Sequence, residues 1–257
     1  MKTEENTLDW GACLKFKLPI ERDEASTLIL SFCYFLLLLA SYYILRPVRD
    51  GLVAGTGMDQ VKFLSVIVLA AMLALTPLFG TLMARVPRYK LLPAIYAFAV
   101  ANLLLFALAF TRPEYAVWST RIFYIWVTVF NLFVISVFWS FMADIWNAEQ
   151  GRRLFGTIAA GGSLGGLLGP MLAQNFAARF GNSGLTIIAA ALLCGAIVCL
   201  LLLGQIARRN PVKEAQITKA FGGSSWQGVL LVLRSPFLLG IAALVIIGSI
   251  VAMFAYI

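Results

Sequence analysis

The residues best suited to chemistry lie at the end of an apolar run. The segment LRPVRDGL, residues 45–52, brings Arg46, Arg49 and Asp50 directly after a stretch from Ala25 that contains no charge. Guanidinium groups form forked hydrogen bonds with phosphate and carboxylate oxygens, so the two arginines predict a site for a polyanion. The alternative is that they extend to lipid headgroups and that Asp50 neutralises them locally. Pro47 stands between the arginines and predicts that they do not continue one regular helix face.

Two further polar residues occur in a later apolar run. Asp144 follows the segment FWSFMA, and a carboxylate so close to hydrocarbon is either a gating or coupling group or a boundary charge that meets Arg152 and Arg153. Asn131, near the middle of the same run, is either a substrate contact or a partner in a helix-to-helix hydrogen bond.

Residue types limit the other kinds of chemistry. The chain has no histidine, and its 4 cysteines lack the spacing of metal ligands. A nucleophile with an adjacent base is also missing from the sequence. We therefore predict no metal site, no cofactor and no enzymatic activity.

The elements that carry these residues are predicted to be membrane helices. Of the 257 residues, 61% are hydrophobic and 12% are charged, whereas soluble domains carry roughly a quarter charged residues. The gaps between charges repeatedly reach the roughly 20 residues that a helix needs to cross the bilayer, and the runs are continuous rather than alternating. Seven spans are predicted, between Glu24 and Arg46, Lys62 and Arg85, Lys90 and Arg112, Arg121 and Asp144, Arg153 and Arg179, Arg179 and Arg208, and after Arg234.

Basic residues predict the orientation of these spans. A cytoplasmic N-terminus leaves few of the 20 Lys and Arg residues outside, namely Arg46, Arg49, Lys62, Arg112, Arg121 and Arg179. The net charge of +8 is thus dispersed over loops beside the membrane, which argues against nucleic acid as a partner. Membrane lipid is the expected surrounding.

Loop lengths indicate the domain organisation. We predict a cytoplasmic N-terminal tail over residues 1–24, a six-span bundle over 25–207, a cytoplasmic linker over 208–227, and the truncated start of a second bundle over 228–257. This order is typical of transporters with two six-helix bundles, each a pair of three-helix inverted repeats. We therefore expect the missing second bundle in the full-length chain. A complete seven-span protein is the alternative.

The loop after the second span, GTLMARVPRYK at residues 80–90, resembles the loop signature of the major facilitator superfamily. Arg85 and Arg88 occupy basic positions of that signature, which implies a gating role at the cytoplasmic helix ends. Ala84 and Pro87 stand where the family usually has an acid and a glycine. The other interpretation is an ordinary basic cytoplasmic loop.

The fifth span contains GTIAAGGSLGGLLGP, residues 156–170, in which small residues recur at four-residue spacing. Such spacing lets two membrane helices approach closely. The predicted packing residues are Gly161, Gly162, Gly165, Gly166, Gly169 and Pro170. The segment also resembles the glycine-rich fifth span of facilitator-type exchangers.

Two longer segments resemble the ATP/ADP carrier family of bacteria and plastids, which exchanges nucleoside triphosphates for diphosphates. They are YYILRPVRDGLV at 42–53 and FWSFMADIWNAEQGRRLFGTIAAGGSLGGLLGP at 138–170. The resemblance implies that Arg49 and Asp144 form the central charged pair, with Arg46 as a second anion contact and Asp50 at the family's acidic position. The obligate exchangers of intracellular parasites and plastids within this family usually have an acid where Pro47 stands and lysine where Arg49 stands.

The resulting expectation is a multi-pass secondary transporter of the bacterial inner membrane that works by alternating access. Its cargo would be a nucleotide or another phosphorylated anion, bound by Arg46, Arg49 and Asn131, with Asp50, Asp144, Arg85 and Arg88 in coupling or gating. One alternative is proton-coupled efflux of an organic solute through Asp144. Another is a sensor or assembly protein of the membrane that does not transport.

Overall fold

The computed structural model describes residues 24–54, 58–85, 88–209 and 234–255, which are almost entirely helical and include no strand. The helices are α1 (Ala25–Ala54), α2 (Met58–Arg85), α3 (Arg88–Ala109), α4 (Ala116–Ile145), α5 (Ala148–Arg208) and α6 (Pro236–Ala255), with a short 3-10 helix at Pro113–Tyr115 before α4. Apart from Glu24, the predicted tail 1–24 lies outside the described residues, as does nearly all of the predicted linker 208–227.

Five of these helices, α1 to α5, are long and apolar enough to cross a membrane. At a rise of about 1.5 Å per residue, α1 measures about 45 Å, compared with a hydrocarbon core of about 30 Å. The prediction of an all-α membrane fold is therefore confirmed. The seventh predicted span overlaps α6, and both that span and the inverted repeat of three helices stay predictions.

Helix α5 contains 61 residues, too many for one crossing, and its backbone departs from helical geometry at Gly181. The φ of +61° and ψ of −169° at Gly181 define a conformation that is essentially restricted to glycine. Before this break, contacts pair Phe32 with Gly161 and Tyr43 with Gly169. After it, contacts pair Ser41 with Ala189 and Leu37 with Gly195. The first part of α5 therefore runs parallel to α1, the second part antiparallel, and the chain reverses at Gly181.

Helix α1 is the centre of this bundle, because it packs against both parts of α5 and against α4. Buried aromatic rings make the contact with α4, where Phe35 stacks on Phe138 at a centroid distance of 4.1 Å. Next to this stack, the buried hydroxyl groups of Tyr34 and Tyr96 lie 2.6 Å apart and connect α1 to α3. The outer layer is formed by α3 packed on α5 and α2 packed on α4.

Helix α1 does not stop at its proline. It continues through Pro47 to Ala54, so Arg46, Arg49 and Asp50 all lie on its last turns. The prediction that Pro47 keeps the two arginines from continuing one regular helix face is therefore wrong, because both side chains contact Asp50 on the same side of the helix. Proline removes one backbone hydrogen bond, and the helix beyond it is retained because Val48 and Val53 are buried against the bundle.

Candidate functional site

Arg49 is the most buried charge of the Arg46, Arg49 and Asp50 cluster at the predicted anion site. Its side chain is only 16% exposed and lies between α1 and α4. Its Nε donates to Asp50 Oδ1 at 2.8 Å, its Nη2 lies 2.7 Å from the same oxygen, and its Nη1 donates to Thr128 Oγ1 at 3.2 Å. The guanidinium carbon also lies 5.5 Å from the centre of the Tyr124 ring, within the range of a cation–π contact. Thr128 is itself fixed, because its hydroxyl donates to the Tyr124 carbonyl at 2.7 Å.

Arg46 lies one turn before Arg49 and is more open. Its side chain is 50% exposed, and its Nε is 3.9 Å from Asp50 Oδ2. Asp50, whose side chain is 51% exposed, thus contacts both guanidiniums. Two cations and one anion leave this cluster with one net positive charge. Because an exposed ion pair contributes little free energy, the Asp50 carboxylate is a displaceable partner for the arginines.

Asn131 lies on the face of α4 that is directed at α1. It is two turns from Phe138, which stacks on Phe35, and one turn from Thr128, which contacts Arg49. Since α1 and α4 are antiparallel, this register places Asn131 opposite the turn of α1 from Tyr42 to Arg46. Its Oδ1 is buried and has no hydrogen-bond partner among the residues that the structure describes.

Asp144 is not part of this arrangement. It lies at the other end of α4, partly buried, and interacts with a neighbouring group. A helical rise of about 1.5 Å per residue puts Asp144 about 24 Å along α4 from Thr128, so Arg49 and Asp144 do not form one charged pair. Arg85 ends α2 and Arg88 begins α3, but their side chains lie outside the described residues.

The glycines of the fifth span line the contact between α1 and the first part of α5. A Cβ at Gly161 would lie 2.6 Å from the Phe32 carbonyl oxygen, and one at Gly169 would lie 2.8 Å from the Ala40 carbonyl oxygen. At Gly165 the nearest atom would be the Leu36 carbonyl oxygen, at Gly162 the Phe35 ring, and at Gly166 the Tyr43 ring. Pro170 is exposed. The stripe thus brings the backbones of α5 and α1 together, and it positions α1 beside α4.

A partly buried ion pair at the opposite end of α1 was not predicted from the sequence. Glu24 is 6% exposed, and its Oε1 lies 3.3 Å from Arg153 Nη2 and accepts a hydrogen bond from Gln150 Nε2 at 2.6 Å. Gln150 also closes a capping box with Asn147 at the start of α5. The order of Asn147 and Gln150 just before an apolar run was a readable signal for this helix start. The pairing of Glu24 with Arg153 had no signal in the sequence.

Two contacts of Arg49 were also missed. Tyr124 and Thr128 lie on the same face of α4 as Asn131, at helical spacing, and this periodicity would have indicated a polar stripe. Single hydroxyl groups are common in membrane helices, so these residue types alone did not predict a contact with Arg49.

No family model matches the sequence, and neither the curated proteins nor the solved structures contain a match to this chain. The class of the protein is therefore defined by its fold. The described helices make it an all-α, multi-pass membrane protein with a partly buried cationic cluster between α1 and α4.

Proposed function

We propose that the protein is a secondary transporter of the major facilitator superfamily, similar to the ATP/ADP carriers, that binds a nucleotide or another phosphorylated anion and moves it by alternating access. The observation that supports this most is the Arg49 guanidinium held between α1 and α4 by Thr128, Tyr124 and Asp50. An ionisable side chain at a partly buried position of a membrane helix is costly and is commonly retained for a substrate pathway.

The charges of the site favour an anionic cargo. Arg46 and Arg49 together exceed the charge of Asp50 by one, so an anion that displaces Asp50 gains charge-assisted hydrogen bonds without removing the arginines from their positions. Thr128 and Tyr124 hold Arg49 in place beforehand, which reduces the entropy lost when an anion binds. Asp50 then acts as a gate, since its carboxylate binds the Arg49 guanidinium when cargo is absent.

The rest of the chain has a place in the same proposal. The N-terminus is cytoplasmic, the protein lies in the bacterial inner membrane, and a second bundle supplies the opposite wall of the cavity. Arg85, Arg88 and Asp144 then act at the cytoplasmic helix ends, where they open and close access. The membrane helices and the position of Arg49 support the assignment to a transporter. The anionic cargo is inferred only from the charges of Arg46, Arg49 and Asp50.

The test is exchange across a membrane. The full-length protein is reconstituted in liposomes that contain ADP, and uptake of labelled ATP, glucose 6-phosphate and inorganic phosphate is measured. We expect uptake of at least one of these anions. Arg49→Gln removes a charged hydrogen-bond donor and should weaken binding of that anion by about 10- to 100-fold.

The matched control is Arg112→Gln, because Arg112 is an exposed arginine between α3 and α4. Its uptake should equal that of the unaltered protein. Absence of uptake for every phosphorylated anion would overturn the proposed cargo. Equal losses in the two arginine variants would show that charge in general, rather than Arg49, is responsible.

A further inference from the structure

Asn131 lies beside the arginine cluster and indicates the chemical class of the cargo, provided that the proposed function holds. Within the cluster between α1 and α4, the guanidinium of Arg49 is satisfied by Asp50 and Thr128. Asn131 differs, because its buried Oδ1 has no hydrogen-bond partner within the described part of the chain. A buried polar group that is left unsatisfied destabilises the folded state, so such a group in a candidate site indicates a missing partner.

A second asparagine shows what a purely structural role looks like in this bundle. Asn102 in α3 donates from Nδ2 to the carbonyl of Phe98, one turn earlier in its own helix, at 2.7 Å. Asn131 makes no such bond with its own helix among the described residues, although the carbonyl of Val127 lies at the same relative position. The hydrogen-bonding capacity of Asn131 is thus unused among the described residues, and a group that binds there has to separate α1 from α4 as it enters.

The position of Asn131 defines where that group would be. The register of α4 on α1 places Asn131 opposite the turn from Tyr42 to Arg46. It is about 4.5 Å along the helix axis from Thr128, whose hydroxyl marks the level of Arg49. A ligand whose anionic group contacts the arginines therefore brings its neighbouring atoms, within about two or three bonds, to the Asn131 amide.

The chemistry of the amide selects the ligand group. A carboxamide offers one acceptor and two donors, and it can turn to present either end. The unsatisfied Oδ1 needs a donor, and a hydroxyl group can donate to Oδ1 or accept from Nδ2. We infer that the cargo is a hydroxylated phosphorylated anion, such as a sugar phosphate, polyol phosphate or ribonucleotide, and that Asn131 is the residue that recognises its hydroxyl.

The test compares anions that differ only in their hydroxyl groups, with the full-length protein and no substitution. One pair is glycerol 1-phosphate and propyl phosphate. The other pair is adenosine triphosphate and its dideoxy analogue, which lacks both ribose hydroxyls. Affinity is measured by calorimetric titration in detergent. We expect the hydroxylated member of at least one pair to bind about tenfold or more tightly, because the analogue leaves the amide unsatisfied.

Variants then assign the preference to one residue. Asn131→Leu should abolish the preference by weakening the hydroxylated ligand about tenfold while it leaves the analogue unchanged. Asn102→Leu, the matched asparagine, should retain the preference. If Asn131→Leu does not fold, Asn131→Ala replaces it, and the comparison of the paired ligands on the unaltered protein still tests the class of cargo.

The outcomes separate this inference from the proposed function. Equal affinity for both members of each pair, or a preference that persists in a folded Asn131→Leu variant, would overturn the role of Asn131 while anion transport stands. If neither member of either pair binds, the proposed function itself fails.

Discussion

Substitution of Gly161 by alanine tests the packing that places α1 in the bundle. A Cβ at this position would lie 2.6 Å from the Phe32 carbonyl oxygen, whereas ordinary contacts begin at 3.4 Å. Helix α1 would therefore have to retreat by about 0.8 Å along this contact. Because the obstacle is backbone rather than a rotatable side chain, we expect a cost typical of overpacking, about 2 kcal/mol.

The matched control is Gly156→Ala in the same helix, since a Cβ at Gly156 would meet no atom within 4 Å. Both variants gain the higher helix propensity of alanine, about 1 kcal/mol, which cancels when they are compared. Thermal unfolding in detergent, followed by tryptophan fluorescence, should give Gly161→Ala a Tm about 4–8 °C below that of Gly156→Ala. A Gly161→Ala variant that is as stable as Gly156→Ala would refute the close approach of α5 to α1.

Three other substitutions test separate parts of the structure. Gly181→Ala should lower the free energy of unfolding by about 1–3 kcal/mol, because alanine is strained at a φ of +61°. Gly204→Ala, in regular helix with open space around it, should not lower it. Equal chemical-denaturation curves for the two variants would contradict the backbone conformation at Gly181. Glu24→Gln should cost about 1–3 kcal/mol, since it removes the carboxylate that pairs with partly buried Arg153, and thermal unfolding that is unchanged would contradict the ion pair. Thr128→Val should weaken anion binding about two- to tenfold through loss of one hydrogen bond with Arg49. Thr76→Val, whose hydroxyl donates to the Met72 carbonyl of its own helix, should leave the titration curves unaltered.

The membrane helices could be predicted from the sequence because their length and composition are imposed by the hydrocarbon core. Five described helices occupy the first six predicted spans, with α5 accounting for two of them. The turn between those two was expected at Arg179 and occurs at Gly181. The charge of Arg179 marks the membrane boundary, but the backbone reverses at Gly181, because glycine tolerates the required positive φ.

The partners of individual charges could not be predicted. Glu24 and Arg153 are far apart in the sequence, and their pairing depends on which helices are neighbours and how each is rotated. The same limit explains why Arg49 contacts Thr128, and why Asp144 lies a helix length away from it. Pro47 was misinterpreted for a different reason, since the tertiary contacts of α1 outweigh the local loss of one hydrogen bond.

In the proposed transport cycle, Arg49 binds an anion in exchange for Asp50. This exchange is tested by the Kd of the full-length protein for adenosine triphosphate and glycerol 1-phosphate, determined in parallel for Arg49→Gln and Asp50→Asn. Arg49→Gln should bind about 10- to 100-fold more weakly, and Asp50→Asn should bind at least as tightly as the unaltered protein, because the competing carboxylate is gone. Weaker binding in Asp50→Asn, or unchanged binding in Arg49→Gln, would rule out the exchange.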